Sequence, residues 1–315
     1  MERKELLKGY IGSVFAADTI ANINVENIAS ALVLVEQKIY EARHPNITFN
    51  KVFPVKSFND PLATSFTYFY VTGAGKAELQ NGDGKISFVD GMVKSKQVPL
   101  FDGAVGYKYT NKELKRASAY NINLDEYKGK IAVRSALELA ESICYDGDEG
   151  REILGFFNNP DIATISPIDG TPWSGKTPKQ KLADIIHLFK TGWVQTKQVH
   201  LAENNPNNRL MLSTARYADL LEPLSDTNDK SVLTWIVENL PFITNAEHII
   251  ASPKLKEDEM RAYEFDEDKI CFNWGHLPEF GIPTPDGLVF VVPAEYSIGG
   301  LVIREPLSVW AMEGI

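Results

Sequence analysis

The chain has 315 residues, of which 44% are hydrophobic and 23% are charged, a balance that is typical of a globular protein and excludes disorder along the whole length. The formal net charge is −10 at pH 7, and no lysine- and arginine-rich run occurs, which argues against tight or sequence-specific binding of nucleic acid. Neither a membrane-spanning apolar run nor a signal-peptide pattern is present, so we expect no membrane association and synthesis in a cytoplasm.

The first predicted elements are an extended arm and a helix. Residues 1–23 have weak periodicity. Asn24 suits a helix cap, and apolar residues then recur at helical spacing: Ile28, Ala31, Leu32, Val35, Ile39 and Ala42. The helix should end near Pro45, because the residue before a proline avoids helical dihedral angles.

The next predicted element is a long β-hairpin. Strand-forming residues occupy 64–71, a turn cluster rich in Asn, Asp and Gly occupies 81–84, and strand-forming residues return at 85–89 and 97–100. A two-stranded hairpin is only marginally stable by itself. We therefore expect this hairpin to lie on another surface.

The clearest helix is predicted to begin at Asn123. Glu126 follows three residues later in a capping-box pattern, and two apolar lines imply burial on a wide face. Gly147 is a natural end for this helix. The helix should have about 22 residues and a length of roughly 33 Å.

The remaining elements are a mixture of helices and short strands. Helices are predicted after the Thr177-Pro178 cap, with Gln180 as its capping partner, and at residues 231–240. Short strands are predicted at 209–213, 249–250, 261–265, 270–272, 288–292 and 301–304, the last two joined by a turn at Gly299-Gly300. Because strands and helices do not alternate regularly, we expect an irregular α+β fold.

Two short sequences imitate ligand-binding loops. Residues 71–77 contain Gly and Lys but lack the spacing and the Ser or Thr of a phosphate-binding loop. Residues 79–90 approach a calcium-binding loop, but Leu79 stands at its first position and Asp90 at its last, where Glu is usual. We interpret the first as a bend in a strand and the second as a hairpin tip.

The cysteines and histidines do not predict chemistry either. Cys144 and Cys271 lie in apolar patterns and are interpreted as small buried residues. The five histidines have no zinc-ligand spacing, and no Gly-x-Ser-x-Gly motif occurs. We predict no catalytic residue, no cofactor and no metal, although a soluble α+β enzyme with catalytic residues distant in sequence stays as an alternative.

Two stretches of the chain resemble a known family. The first reads Tyr-Lys-Tyr-Thr at 107–110, continues through the long helix, and closes with Leu-Gly-Phe-Phe-Asn-Asn-Pro at 154–160. The second reads Tyr-Ser-Ile-Gly-Gly-Leu-Val-Ile-Arg-Glu-Pro at 296–306. Together with the order of elements over roughly residues 50–315, they resemble the major capsid proteins of tailed bacteriophages with the Hong Kong 97-like fold, which encapsulin shells share.

The resemblance implies a division of the chain into parts of that fold. Residues 1–50 would be the N-terminal arm, and 51–105 the extended loop, which is the β-hairpin. Residues 106–156 would form the peripheral domain with its "spine" helix, 157–267 the axial domain, and 268–315 the strands that return to the peripheral domain.

The implied function is a structural one and not that of an enzyme. Copies of the chain would form hexamers and pentamers of an icosahedral shell around double-stranded DNA, with like charge preventing tight attachment to the contents. Scaffold, portal and decoration proteins would be further partners, and the virion capsid its location after synthesis in a bacterial cytoplasm. We predict inter-subunit contacts at Lys76, Asn81, Asp83, Lys85, Phe88, Asp90 and Arg134. An encapsulin-like shell around a cargo enzyme is the alternative within the same fold.

Overall fold

The structure is a computed structural model that describes residues 46–74, 90–119, 124–225 and 228–315. The predicted arm, the first predicted helix and the hairpin tip lie outside these residues. The chain divides into two units. The first, Met1–Pro45 and Lys115–Ile122, is described only at residues 115–119, and the second, Asn46–Leu114 and Asn123–Ile315, contains both of the five-stranded sheets.

The described residues form six α-helices and fourteen strands. The helices are α1 Phe49–Val52, α2 Asn111–Ala119, α3 Leu124–Asp146, α4 Pro178–Gln195, α5 Thr214–Asp219 and α6 Val232–Asn239. The first strands are β1 Val55–Ser57, β2 Ser65–Ala74, β3 Asp90–Pro99, β4 Phe101–Thr110, β5 Ala163–Ile165, β6 Asn208–Ser213 and β7 Pro223–Ser225. The others are β8 Asn228–Ser231, β9 Ile249–Ser252, β10 Glu259–Glu264, β11 Ile270–Phe280, β12 Thr284–Asp286, β13 Val289–Ile303 and β14 Val309–Glu313. This irregular mixture confirms the predicted α+β class.

The first sheet has five strands and is organised around β13. Its order is β1-β11-β13-β12, and β4 also pairs with β13. Both β4 and β11 run antiparallel to β13, whereas β1 runs parallel to β11. Since β11 and β12 follow one another along the same edge of β13, this strand is hydrogen-bonded on both edges over most of its length.

The predicted turn at Gly299-Gly300 is wrong, because both glycines lie inside β13. Opposite them, the register with β11 shifts between Asn273 and Trp274, which leaves one extra residue in β13. The extra residue is Gly299, and Gly300 beside it takes a positive φ of 74°, a left-handed conformation that bulges often contain. A Cβ atom on Gly299 would lie 2.9 Å from the Leu100 side chain. The glycines therefore serve a bulge and a close approach rather than a chain reversal.

The second sheet is buried on both faces. Its order is β5-β14-β10-β6-β9, with β10 at the centre and antiparallel to both neighbours. One face packs against α4 and α6 through Leu210, Leu212, Met260, Ala262 and Met312. The other face contributes Met211, Tyr263, Val309 and Ala311 to the core beneath α3. The last strand, β14, thus belongs to this sheet, whereas the sequence prediction grouped residues 268–315 as one returning segment.

Helix α3 packs on the core that it shares with the second sheet, and its bounds match the predicted helix closely. Ala136, Ala140 and Cys144 are buried on its inner face. Gly147 follows the helix with a positive φ of 74° and ends it, as predicted. The start of α4 is also as predicted, since the Gln180 side chain accepts a hydrogen bond of 2.9 Å from the Thr177 backbone N–H.

None of the described helices combines the length and the apolar character needed to span a membrane.

Candidate interaction surfaces

Strands β2 and β3 form the predicted hairpin. They pair antiparallel from Ser65 opposite Pro99 to Ala74 opposite Asp90. Directly opposed residues share one face of the hairpin, so the register divides the side chains into two groups. The loop that joins the two strands, residues 75–89, lies outside the described residues.

One face of the hairpin, here called the apolar hairpin face, carries Phe69, Val71 and Val93. Val71 lies opposite Val93, and Phe69 lies two residues further along β2. Their exposed fractions are 72%, 71% and 63%. Three neighbouring apolar side chains that remain in solvent on a marginal two-stranded element indicate a surface that another molecule covers.

The opposite face of the hairpin is amphipathic. On this face Tyr68 lies opposite Lys96 and Tyr70 lies opposite Lys94, so each aromatic residue of β2 faces a lysine of β3. The Arg304 guanidinium lies 5.3 Å from the centre of the Tyr68 ring, a cation–π contact that ties the hairpin to the end of β13. Burial raises the pKa of Tyr68, and the nearby Arg304 charge opposes that rise.

The root of the hairpin is held beside the first sheet. The Phe66 ring lies 4.8 Å from the ring of Phe58, which directly follows β1. The Leu100 N–H donates to the Thr64 carbonyl at 2.9 Å, which closes the base of the hairpin. The hairpin is therefore fixed where it leaves the first sheet and exposed further out. This arrangement suits an element that reaches a second molecule while its base stays in place.

A groove beside α3 is a second candidate surface. It is lined by Ile47, Tyr107, Asp125, Glu126, Gly129, Lys130, Val133, Arg134, Leu137 and Phe280. The Tyr107 hydroxyl donates to Asp125 at 3.2 Å. Burial raises the pKa of Tyr107, and the Asp125 carboxylate adds to that rise. The lining thus combines an apolar part with charged groups.

The predicted contact residues are mostly outside the described part of the chain. Lys76, Asn81, Asp83, Lys85 and Phe88 all fall within residues 75–89. Asp90 is the first residue of β3, and nothing is described of its side chain. Arg134 lies on α3, where its Nε donates to Glu138 at 2.7 Å, and it also lines the groove. A role for these residues between subunits stays a prediction.

The sequence interpretation missed one exposed apolar segment, the turn around β12. Ile282 and Leu288 are 83% and 78% exposed, and Gly287 has a positive φ between them. The signal was present, because two prolines and an Asp-Gly pair at residues 283–287 are typical of a short hairpin turn.

Comparisons with known proteins give one family and one fold. A family model described as major capsid protein matches residues 75–315. No curated protein sequence matches the chain significantly. The capsid of Myoviridae phage XM1 is similar in structure, with a TM-score of 0.72 at 17% identity, over 91% of this chain and 98% of that one.

Two further solved structures extend the likeness. The capsid of a native GTA particle has a TM-score of 0.66 at 9% identity, over 93% of this chain and 99% of that one. A virus-like particle from Pyrococcus furiosus has a TM-score of 0.50 at 16% identity, over 84% of this chain and 92% of that one. At such low identities these structures are evidence of the fold alone.

Proposed function

Because the chain belongs to the major capsid protein family, we propose that its copies assemble into the hexamers and pentamers of an icosahedral shell. As a capsid protein it is a structural component of a virion and not an enzyme. The shell encloses the double-stranded DNA of a tailed bacteriophage without specific binding, which agrees with a net charge of −10. The chain is made in the cytoplasm of the bacterial host.

The observation that carries this proposal is the apolar hairpin face. Each of its three side chains would lose solvent contact on a neighbouring copy, and burial of apolar surface contributes roughly 25 cal/mol per Å². Each contact is weak, but a closed shell repeats it at every subunit, so that many weak contacts add up. The exposed turn around β12 and the groove beside α3 are further surfaces for such contacts.

We assign the parts of the shell subunit by extension of the same proposal. The first sheet with α3 forms the peripheral domain, and the second sheet with α4 and α6 forms the axial domain around the five- and six-fold axes. Strand β14 goes with the axial domain, because it pairs with β10 and β5. The division of residues 268–315 then falls between β13 and β14.

The experiment is electron microscopy and size-exclusion chromatography of the wild-type protein and two matched triple variants. Phe69→Ser, Val71→Thr and Val93→Thr together remove the apolar hairpin face, whereas Phe69→Leu, Val71→Ile and Val93→Ile keep it apolar. We expect shells or capsomer rings from the wild type and the second variant, and folded subunits without shells from the first.

The contradicting result is also clear. Normal particles from the Ser/Thr variant would show that the apolar hairpin face does not hold the shell together. A wild-type protein that stays monomeric alone should be tested again with a scaffold protein, which we propose as a partner together with portal and decoration proteins.

The contents of the particle distinguish a phage capsid from an encapsulin-like compartment. The family model is that of major capsid proteins, so a capsid is favoured over the encapsulin-like alternative. Particles purified from infected cells should carry strong nucleic-acid absorbance. Particles filled with an enzyme and free of DNA would support the encapsulin-like alternative instead.

A further inference from the structure

Strand β4 is the last strand on one side of the first sheet. All ten of its residues pair with β13 in an unbroken antiparallel register, from Phe101 opposite Ile298 to Thr110 opposite Val289. No other strand within the described residues pairs with β4. One edge of β4 is therefore hydrogen-bonded to β13, and its other edge faces away from the sheet.

The two ends of this outer edge are already occupied. At one end Leu100, which directly precedes β4, donates its N–H to the Thr64 carbonyl at 2.9 Å. At the other end the Thr110 N–H donates to the Glu113 carboxylate at 2.9 Å. The backbone groups of successive residues in an antiparallel strand point to opposite sides. The even-numbered residues between these two ends therefore point their N–H and C=O groups outward.

Between these ends lie four outward residues, here called the open edge of β4: Asp102, Ala104, Gly106 and Lys108. All four are exposed. In the part of the chain that the structure describes, the outward backbone groups have one hydrogen bond, from the Lys128 ammonium to the Lys108 carbonyl at 2.7 Å. A strand edge with unpaired N–H and C=O groups is a template for another strand. Neither a proline nor a bulge interrupts this one.

The charges on the open edge suit a second copy of the same strand. Asp102 stands at one end and Lys108 at the other, and the two outward residues between them are small. Residues an even number of positions apart lie on the same face of a strand, so both charged side chains share one face. When two copies pair antiparallel about a two-fold axis at Val105, Asp102 of each copy lies opposite Lys108 of the other. Opposite charges directly across two strands stabilise this register, and any other register loses both pairs.

We propose that the open edge of β4 pairs with the open edge of a second copy, so that two first sheets join into one continuous sheet. The inference rests on the proposed shell and adds a contact at its two-fold axes, where icosahedral symmetry relates two copies by a half-turn. The contact is isologous, because the same residues face each other from both sides. Backbone hydrogen bonds supply the attraction. The Asp102–Lys108 pairs stay exposed and are individually weak, so their role is to fix the register.

The first test traps the pair with a disulfide in concentrated, dissociated subunits. In the proposed register Asp102 and Lys108 face each other with Cα atoms about 5.5 Å apart, a separation that a disulfide spans. Under a mild oxidant, a mixture of Asp102→Cys and Lys108→Cys should give a cross-linked dimer. Each variant alone should not, because the two copies of either residue lie roughly 20 Å apart along the strands. The native Cys144 and Cys271 are buried and do not compete.

A dimer from either variant alone, or none from the mixture, would overturn the proposed pairing. The test needs no shell, so the Ser/Thr variant of the apolar hairpin face should cross-link equally well when it carries the same cysteines. Cross-linking of subunits that never form shells would support the pairing while the proposed function failed. Shells from subunits that do not cross-link would have the reverse meaning.

The second test exchanges the charges on the open edge. Asp102→Lys places lysines opposite each other, Lys108→Asp places aspartates opposite each other, and the combined variant restores opposite charges. We expect the lowest concentration that forms shells to rise several-fold in each single variant and to return to the wild-type value in the combined one. Net charge alone does not give this pattern, because the two single variants change it in opposite directions. Shells at the wild-type concentration from both single variants would refute the proposed register.

Discussion

At the scale of single residues, Asp184 organises the long loop before α4. Its carboxylate accepts from the Trp173 indole at 2.9 Å, from the Ile168 N–H at 3.2 Å and from the Lys176 ammonium at 2.7 Å. The Lys176 and Asp184 side chains are 2% and 1% exposed. Either charge left alone in this position would be uncompensated, so the pair acts as one structural unit.

We predict that Asp184→Ala lowers the free energy of unfolding by about 3–5 kcal/mol, because it leaves the Lys176 ammonium buried without a partner. The matched control is Glu267→Gln, which breaks the exposed Lys56–Glu267 pair and should cost less than about 1 kcal/mol. Urea unfolding of the two variants measures both values. Similar costs for the two pairs would contradict the importance that we assign to burial.

The partly buried side chain of His248 makes the stability of the fold depend on pH. Burial lowers the pKa of His248, and the Arg209 charge lowers it further. As pH falls, the unfolded chain therefore takes up this proton first, and stability decreases through the ordinary titration range of histidine. We predict that His248→Gln loses less stability between pH 7.5 and 5.5 than the wild type does.

Urea unfolding at the two pH values checks the His248 prediction, with His187→Gln as the control for loss of an imidazole elsewhere. A larger loss of stability on acidification in His248→Gln would have the wrong sign and would contradict it.

At the scale of elements, several parts of the fold were predictable from local patterns. Helix α3, the hairpin and the cap at Thr177 follow from periodicity and from capping residues close together in sequence. Strand β13 was misread because Gly299-Gly300 is typical of a turn. Only its neighbours, Leu100 and the shifted register with β11, reveal a bulge.

The interaction surfaces were predictable only in part. In the sequence both faces of β2 carry large apolar or aromatic side chains: positions 66, 68 and 70 lie on one face, and positions 69 and 71 on the other. The sequence pattern therefore does not tell which face another part of the protein covers. That distinction depends on Phe58 and Arg304, which are distant in sequence. The contact between His200 and Glu305 escaped for the same reason, since these two residues are brought together only by the fold.

The bulge in β13 gives a prediction at the same scale. In Gly300→Ala the new Cβ would combine a positive φ of 74° with a distance of 2.7 Å to the Ile153 side chain. The matched control is Gly170→Ala, which has a similar φ of 62° and no atom within 4 Å of the new Cβ.

We expect Gly170→Ala to cost about 1 kcal/mol from the backbone alone, and Gly300→Ala to cost about 1–3 kcal/mol more from the clash in the core. Thermal and urea unfolding of both variants measure the difference. Equal stabilities would mean that Ile153 moves aside without cost and that the close packing at the bulge is unimportant.

At the scale of the whole molecule, the second sheet links two cores. Its residues pack against α4 and α6 on one side and against the core beneath α3 on the other. A change in one core therefore reaches the other through a single layer of strands. This arrangement suits a subunit whose two cores must stay in a fixed relative position while its surfaces bind neighbouring copies.

The net charge of −10 gives a prediction for assembly. Copies of the chain repel one another, and raising salt from about 0.1 to 1 M shortens the screening length from about 10 Å to 3 Å. We expect the lowest concentration that forms shells to fall as salt is raised, as measured by light scattering. The Ser/Thr variant of the apolar hairpin face should scatter like subunits at both salt concentrations.

The opposite response would also be informative. A threshold concentration that rises with salt would mean that ion pairs between copies, rather than apolar contacts, hold the shell together.

The length of β13 has a mechanical consequence. Fifteen residues span about 50 Å, and β4 on one edge and β11 with β12 on the other share its hydrogen bonds. A pull along the strand axis loads these bonds in shear, so many must break at once. A pull across the sheet opens one bond at a time, and only three residue pairs join β1 to β11 and β12 to β13. The first sheet should thus bear tension along β13 and peel first at these two short strands.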